Sequence, residues 1–391
     1  MPVSPFVISI PETTLDDLRQ RLARARLSEL NFDTGWDYGT DVRYLRDLLH
    51  YWRDSYDWRA QEAELNRYSH YRATIDGIGV HFVHQRGVGP NPLPIVLTHG
   101  WPDSFYRMLP LIPLLADPGS HGGRAEDAFD VVVPSIPGFG FSDKPTERGL
   151  TGERVADLWN QLMRDELGYD RYVAHGGDMG SSVTLELARK NPDVLFGIHL
   201  TDVPYLALLP LINSQENLSA EEQEYLKQGE QWGQQEGAYG MVQSTKPQTL
   251  AHGLNDSPTG LASWIVEKFR GWSDCAGDIE KRFTKDQLLT NIMIYWVTET
   301  IGSSFLMYYE PMHTQPIQAK HERTEVPAGF AMFPHDLLTP PRSWAERFFN
   351  VRHWTEMPSG GHFAAMEEPE LLAEDIRAFF RPLREQSAAT R

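Results

Sequence analysis

The chain is 391 residues long and carries 36 Lys or Arg against 54 Asp or Glu, a formal charge of −18. That excess excludes nucleic acid and anionic membrane surfaces as natural partners and works against strongly anionic substrates. Hydrophobic residues at 41% and aromatic residues at 11% suffice for one large core or two smaller ones, and the lone cysteine, Cys275, excludes an internal disulfide framework.

At the N-terminus, Met1-Pro2-Val3-Ser4-Pro5 has no basic stretch followed by an apolar core. No signal peptide is read, and the expected location is cytoplasmic. Residues 1–71 read as a helical region laid on a core, too thin to be a domain of its own. Thr13 and Thr14 are placed to cap a helix with Leu15, Leu18 and Leu22 on one face. A second helix, from Asp41, carries Leu45, Leu48, Leu49, Trp52 and Tyr56 at helical spacing, and Trp36, Trp52 and Trp58 give the region a large apolar face.

Residues 72–202 alternate strands with helices, the candidate strands being 72–75, 80–85, 94–98, 131–134, 172–175 and 197–201. Such alternation predicts a mainly parallel sheet covered by helices. From 203 to 327 the rhythm lapses for far longer than the ~30 residues of a βαβ unit. This stretch is helical in character, rich in Gln, Tyr and Trp, and reads as a cap. The longest apolar run, residues 205–212, falls well short of the ~20 residues of a membrane span. The rhythm resumes over 328–391, with strands at 329–333 and 351–356 and a last helix placing Leu371, Leu372, Ile376 and Phe379 on one side. The expected architecture is α/β: a mostly parallel eight-stranded sheet, a helical cap after the sixth strand, and an N-terminal helical extension.

One segment carries the chemistry. Gly176-Gly177-Asp178-Met179-Gly180-Ser181 lies between an apolar run and a helical stretch, the layout of a nucleophile elbow. A serine usually stands at the tip; here it is Asp178. A carboxylate is already ionised at neutral pH, its ordinary pKa being near ~3.9, so it attacks carbon without a base. The product is an ester of the enzyme, and a histidine must then activate water against it. His362, in Ser359-Gly360-Gly361-His362-Phe363 between the last strand and last helix, is the candidate. Asp336 follows the seventh strand and would orient the imidazole, giving the order nucleophile, acid, histidine of the α/β-hydrolase fold. Asp202, just after the sixth strand, is the main rival for the acid, and Glu310 a weaker one. His99-Gly100-Trp101-Pro102 ends the third strand, where the Trp101 amide, with that of Met179, would form an oxyanion hole. His99 itself reads as a structural turn residue and Cys275 as an ordinary thiol. A serine esterase is excluded, since Ser181 and Ser182 lie past the tip.

These motifs together resemble the microsomal-type epoxide hydrolases, over nearly the whole length. The resemblance is carried by Pro5-Phe6-Val7-Ile8-Ser9-Ile10-Pro11, Trp36-Asp37-Tyr38-Gly39, His99 to Pro102, the elbow, and Phe333-Pro334-His335-Asp336. It implies that Tyr239, in Ala238-Tyr239-Gly240-Met241, and Tyr308, in Phe305-Leu306-Met307-Tyr308-Tyr309-Glu310, polarise the epoxide oxygen. It further implies a small hydrophobic epoxide and water as reactants, a vicinal diol as product, and no metal or organic cofactor; a homodimer stays open. Two departures stand out. Met179 occupies a position where the family often has Trp, and no anchor helix of the membrane-bound members is read. Two alternatives share the fold: a haloalkane dehalogenase using the same Asp, for which Met179 supplies no side-chain N–H to a halide, and a non-catalytic binding protein.

Overall fold

A computed structural model describes residues 3–214, 218–314 and 323–389. Their strands form one sheet: β1 (Ser4–Phe6), β2 (His70–Ile75), β3 (Ile78–Gln85), β4 (Leu93–Thr98), β5 (Phe129–Pro134), β6 (Tyr172–Gly176), β7 (Leu195–Leu200), β8 (Thr324–Met332) and β9 (Phe349–Glu356). The spatial order is β1-β2-β3-β5-β4-β6-β7-β8-β9. The first three pairings are antiparallel and the remaining five parallel. Every residue of β5 and β6 is buried, because helices cover both faces of a parallel sheet and its strands become continuous apolar runs.

All eight expected strands are present, and β1 adds a ninth at the edge through Ser4↔Arg72, Pro5↔Tyr71 and Phe6↔His70. Three residues are too short to show alternation, and Pro5 argues against a strand except at an edge, where its missing N–H costs no ladder bond. The first helix also differs from expectation. It spans Glu12–Ala23, with Pro11 at its N-cap and the Thr14 amide donating to the Pro11 carbonyl at 3.0 Å, so neither Thr13 nor Thr14 caps it. Leu15, Leu18 and Leu22 are buried as the spacing demands. The next helix, Val42–Asp54, is capped by Asp41, and a third, Trp58–Leu65, was too short to read from periodicity.

Between β7 and β8 the described residues form no strand, and their helices are Tyr205–Ser214, Ala220–Gln235, Ala238–Thr245, Pro247–Asp256, Pro258–Gly271, Lys285–Thr298, Ile301–Ser304 and Leu306–His313, with one 3-10 turn at Ile279–Lys281. This insertion is pinned to the sheet by Asn291 Nδ2, which donates to the Pro102 carbonyl at 2.8 Å, by Tyr295 OH on the Asp103 carbonyl at 2.6 Å, and by Ser303 Oγ on the Gly138 carbonyl at 2.7 Å. On the other side it is tied to the N-terminal region. Arg21 reaches the Asp256 carbonyl at 2.6 Å, Thr40 the Ser263 carbonyl at 2.7 Å, and Tyr51 the Asp286 carboxylate at 2.9 Å. Helix Lys285–Thr298 lies between these two sets of contacts, and residues 288–296 are all buried. A helix that is covered all round loses its polar stripe.

Candidate active site

Asp178 stands two residues past the end of β6, at φ 57° and ψ −125°, and helix Met179–Lys190 begins at the next residue. A non-glycine residue held there costs on the order of 1–3 kcal/mol, which the surrounding structure must impose. The tight turn depends on its neighbours. A Cβ on Gly176 would overlap the Gly180 carbonyl, and one on Gly180 would overlap the Thr98 carbonyl. The strain lifts the carboxylate out of the sheet, above the ends of the parallel strands.

Two loops meet the carboxylate there. The Trp101 amide donates to Asp178 Oδ1 at 2.9 Å, and the Met179 amide also hydrogen bonds to it. The Trp101 turn can approach that closely only because residue 100 is glycine: a Cβ there would overlap the carboxylate. From the other side His362 Nε2 lies 3.4 Å from Asp178 Oδ2, while its Nδ1 is 2.7 Å from Asp336 Oδ1. Backbone pairing sets this last distance, since the His335 amide donates to the Gly360 carbonyl at 3.1 Å and joins the two loops. Asp178 is the most open of the three side chains, at 12% exposure against 7% for Asp336 and 3% for His362.

The charges interlock. Burial alone would lower the His362 pKa, but the charge of Asp336 and the close approach of the Asp178 carboxylate outweigh it and raise it to about 10. Burial would raise the Asp178 pKa; the nearby charge of His362 and the Trp101 and Met179 amides hold it below the ordinary carboxylate range. The charges around the ring therefore favour its imidazolium form.

The rival acids are engaged elsewhere. Asp202 accepts the Ser181 hydroxyl, and its burial, followed by the charges of Asp336 and Asp178, pushes it well above the carboxylate range. The His362 Nδ1 is held by Asp336 instead, at 2.7 Å. Glu310 accepts the Gly149 amide at 2.9 Å. His99 is buried, with Nε2 accepting from the Ile136 amide at 3.2 Å and Nδ1 on the Gly100 carbonyl at 3.0 Å, a neutral ring with both nitrogens used in the turn. Cys275 is buried against the Arg270 carbonyl.

Tyr239 and Tyr308 come from two helices of the insertion and meet over the elbow. Tyr239 stacks on the Trp101 indole, with ring centres 5.4 Å apart and 8° between planes. Tyr308 stands edge-on to both, 5.8 Å from Tyr239 and 5.9 Å from Trp101. Burial first, and then the nearby Asp178 charge for Tyr239 and the Tyr239 and Asp178 charges for Tyr308, raise both phenols above the ordinary range, so each keeps its proton. Tyr309 turns to His313 instead, 3.9 Å ring to ring. Trp272 was missed by sequence reasoning. Its ring lies 5.3 Å from His362 and its carbonyl accepts the His362 amide at 2.8 Å, contacts made across 90 residues that no local pattern signals.

The fold, with an elbow at the strand tips and a helical insertion above it, is that of an α/β-hydrolase. Residues 94–268 match the family described as alpha/beta hydrolase fold, and residues 3–108 the one described as Epoxide hydrolase N terminus. A Stigmatella aurantiaca protein named "Putative epoxide hydrolase" is 45% identical over 383 residues, covering 98% of this chain and 86% of the relative. Epoxide hydrolase 1 of Sus scrofa is 37% identical over 98% of this chain and 90% of its own. The solved structure of Aspergillus niger epoxide hydrolase superposes with a TM-score of 0.84 at 31% identity, over 98% of this chain and 97% of that one. The chain belongs to the epoxide hydrolases, and it is an enzyme of that class. Among the described residues no helix is long and apolar enough to cross a membrane.

Proposed function

We propose that this epoxide hydrolase acts through a covalent ester on Asp178 that water, activated by His362, then hydrolyses. The observation that carries this reading is the Asp178 carboxylate itself, with Oδ1 on the Trp101 amide at 2.9 Å and Oδ2 facing His362 Nε2 at 3.4 Å. Oδ1 becomes the ester carbonyl and Oδ2 forms the new bond to a ring carbon. As the C–O bond of the epoxide breaks, Tyr239 and Tyr308 protonate the departing oxygen. Residues 203–327 act as the cap that presents them and keeps bulk water from a small apolar epoxide, and residues 1–71 brace that cap.

The proton count closes within the site. Esterification removes the Asp178 charge, one of the causes that hold the His362 proton, and the histidine pKa falls. The imidazolium proton then replaces the one the tyrosines gave, leaving His362 neutral and able to take a proton from water. Water attacks the ester carbonyl, whose developing charge meets the Trp101 and Met179 amides. The leaving alkoxide takes the second proton of the attacking water and departs as the diol, the first stays on His362, and the carboxylate and imidazolium are restored with Asp336 holding the ring.

Oxygen labelling tests this. A single turnover with enzyme in excess in heavy-oxygen water is expected to label the peptide containing Asp178 and leave the first diol unlabelled, because the diol takes its new oxygen from Asp178. Label in that first diol would reject the ester.

A further inference from the structure

His362 sits in a loop with little stiffness of its own. Gly360 and Gly361 precede it, Gly360 at φ 104°, and glycine has the widest conformational freedom of any residue. Yet the amide and carbonyl of the histidine itself, and the amides on either side of it, are each held by a buried partner. Its amide donates to the Trp272 carbonyl at 2.8 Å, and its carbonyl accepts from Arg107 Nη2 at 2.5 Å. The two flanking amides both go to one side chain: Gly361 donates to Glu367 Oε2 at 3.1 Å and Phe363 to Glu367 Oε1 at 2.9 Å. Glu367 Oε2 also takes the Asp274 amide from the insertion at 2.8 Å.

Arg107 is 1% exposed and Glu367 8% exposed, so neither polar side chain is kept for solvent. Arg107 extends the hold to the other loop of the site. Its Nη1 pairs with Asp103 Oδ2 at 2.7 Å, and Asp103 Oδ1 accepts the Gly100 amide at 3.0 Å, one residue before the Trp101 amide that meets Asp178. One buried chain thus runs from the Trp101 turn through Asp103 and Arg107 to the His362 carbonyl. Burying charged groups is unfavourable unless they are fully partnered, which makes this placement expensive for a merely passive contact.

We propose that Arg107 and Glu367 are positioning residues which hold the His362 backbone so that the ring meets water at the Asp178 ester. The proposal rests on the covalent reading above, and it assigns the pair to the second half of the reaction. The first half needs the carboxylate, the Trp101 amide and the tyrosines, none of which is held by Glu367. Hydrolysis depends on where the ring stands, and a displacement of about 1 Å can cost on the order of 10²-fold in rate.

The two half-reactions separate the roles. Arg107→Gln, Glu367→Gln, Arg107→Lys and His362→Gln are compared with wild type on the fastest of styrene oxide, 1,2-epoxyhexane and limonene oxide, with intact mass read at steady state. Ester formation is expected to stay within about threefold of wild type in Glu367→Gln and to fall less than hydrolysis in Arg107→Gln, which also loosens the Trp101 turn through Asp103, while ester hydrolysis falls by on the order of 10²-fold in both. The ester then accumulates as a mass increase equal to the substrate. Arg107→Lys, which keeps the buried charge and a donor, is expected to recover hydrolysis at least in part. Glu367→Gln preserves size and polarity and tests the hold should Arg107→Gln fail to fold. Ester in His362→Gln but in neither Arg107→Gln nor Glu367→Gln would overturn this inference alone. Absence of ester in His362→Gln as well would overturn the covalent reading beneath it.

Discussion

The Trp101 indole lies flat against the Tyr239 phenol, 8° from parallel and 5.4 Å between ring centres. In the proposed reaction one residue would serve two ends: its amide holds the Asp178 carboxylate and its ring seats Tyr239 of the helical insertion. Placement of donor and nucleophile is shared, so a change in one propagates to the other.

Removing a single hydroxyl leaves the second phenol in place. Tyr239→Phe and Tyr308→Phe are each expected to slow ester formation roughly 10-fold, and the double variant on the order of 10³-fold, within the range of general acid catalysis. The double variant should melt close to wild type, because both rings and their packing remain. Stopped-flow or quenched single turnovers measure the step directly, and a double variant opening epoxides at the wild-type rate would show that other groups are the acids.

Gly100 is expected to tolerate no side chain. The Cβ of Gly100→Ala would occupy the space of the Asp178 carboxylate, so either the turn or the nucleophile must shift. Overpacking of this kind costs about 1–3 kcal/mol in stability. Activity should fall by on the order of 10²-fold or more, since both the Trp101 amide and the carboxylate move. Denaturation and turnover measured on the same preparation check the pair of effects; an unchanged rate would mean that the turn need not touch Asp178.

Stability should fall on the alkaline side, and the sign follows from His362. Its folded pKa of about 10 lies above the unfolded value of 6.5, so the folded protein binds this proton more tightly. The resulting stabilisation is fully present below pH 6.5 and is lost as pH rises toward 10. Asp178→Asn removes one of the charges responsible and should flatten that decline. Denaturant midpoints at pH 6 and pH 9.5 for both proteins test it, and equal slopes would contradict the assigned coupling.

Much of this was legible because it is local. The elbow is a strand, a turn of small residues and a helix in one short run, and the apolar strands of the sheet announce themselves by composition. The chain order of Asp178, Asp336 and His362 was readable for the same reason. The tyrosines were not: with 15 in the chain, only the family register singles out Tyr239 and Tyr308. What escaped was short or distant. β1 has three residues, too few for a period, and helix Trp58–Leu65 only eight. Arg107 and Asp103 do stand four apart, a spacing that pairs charges on one turn of helix. That their pair reaches a carbonyl 255 residues away belongs to the folded chain alone.

Helix Lys285–Thr298 has no free side: sheet loops grip one flank through Asn291 and Tyr295, and the N-terminal region covers the other through Tyr51 and Tyr56. Cutting a buried side chain there to Ala removes packing worth about 2–5 kcal/mol. The helix that carries Tyr239 is different, with Met241 and Val242 facing solvent at 65% and 36% exposure. Helix Ala238–Thr245 can therefore be altered on its exposed side at little cost to stability and Lys285–Thr298 cannot, so changes of specificity should arise along the first long before they arise along the second.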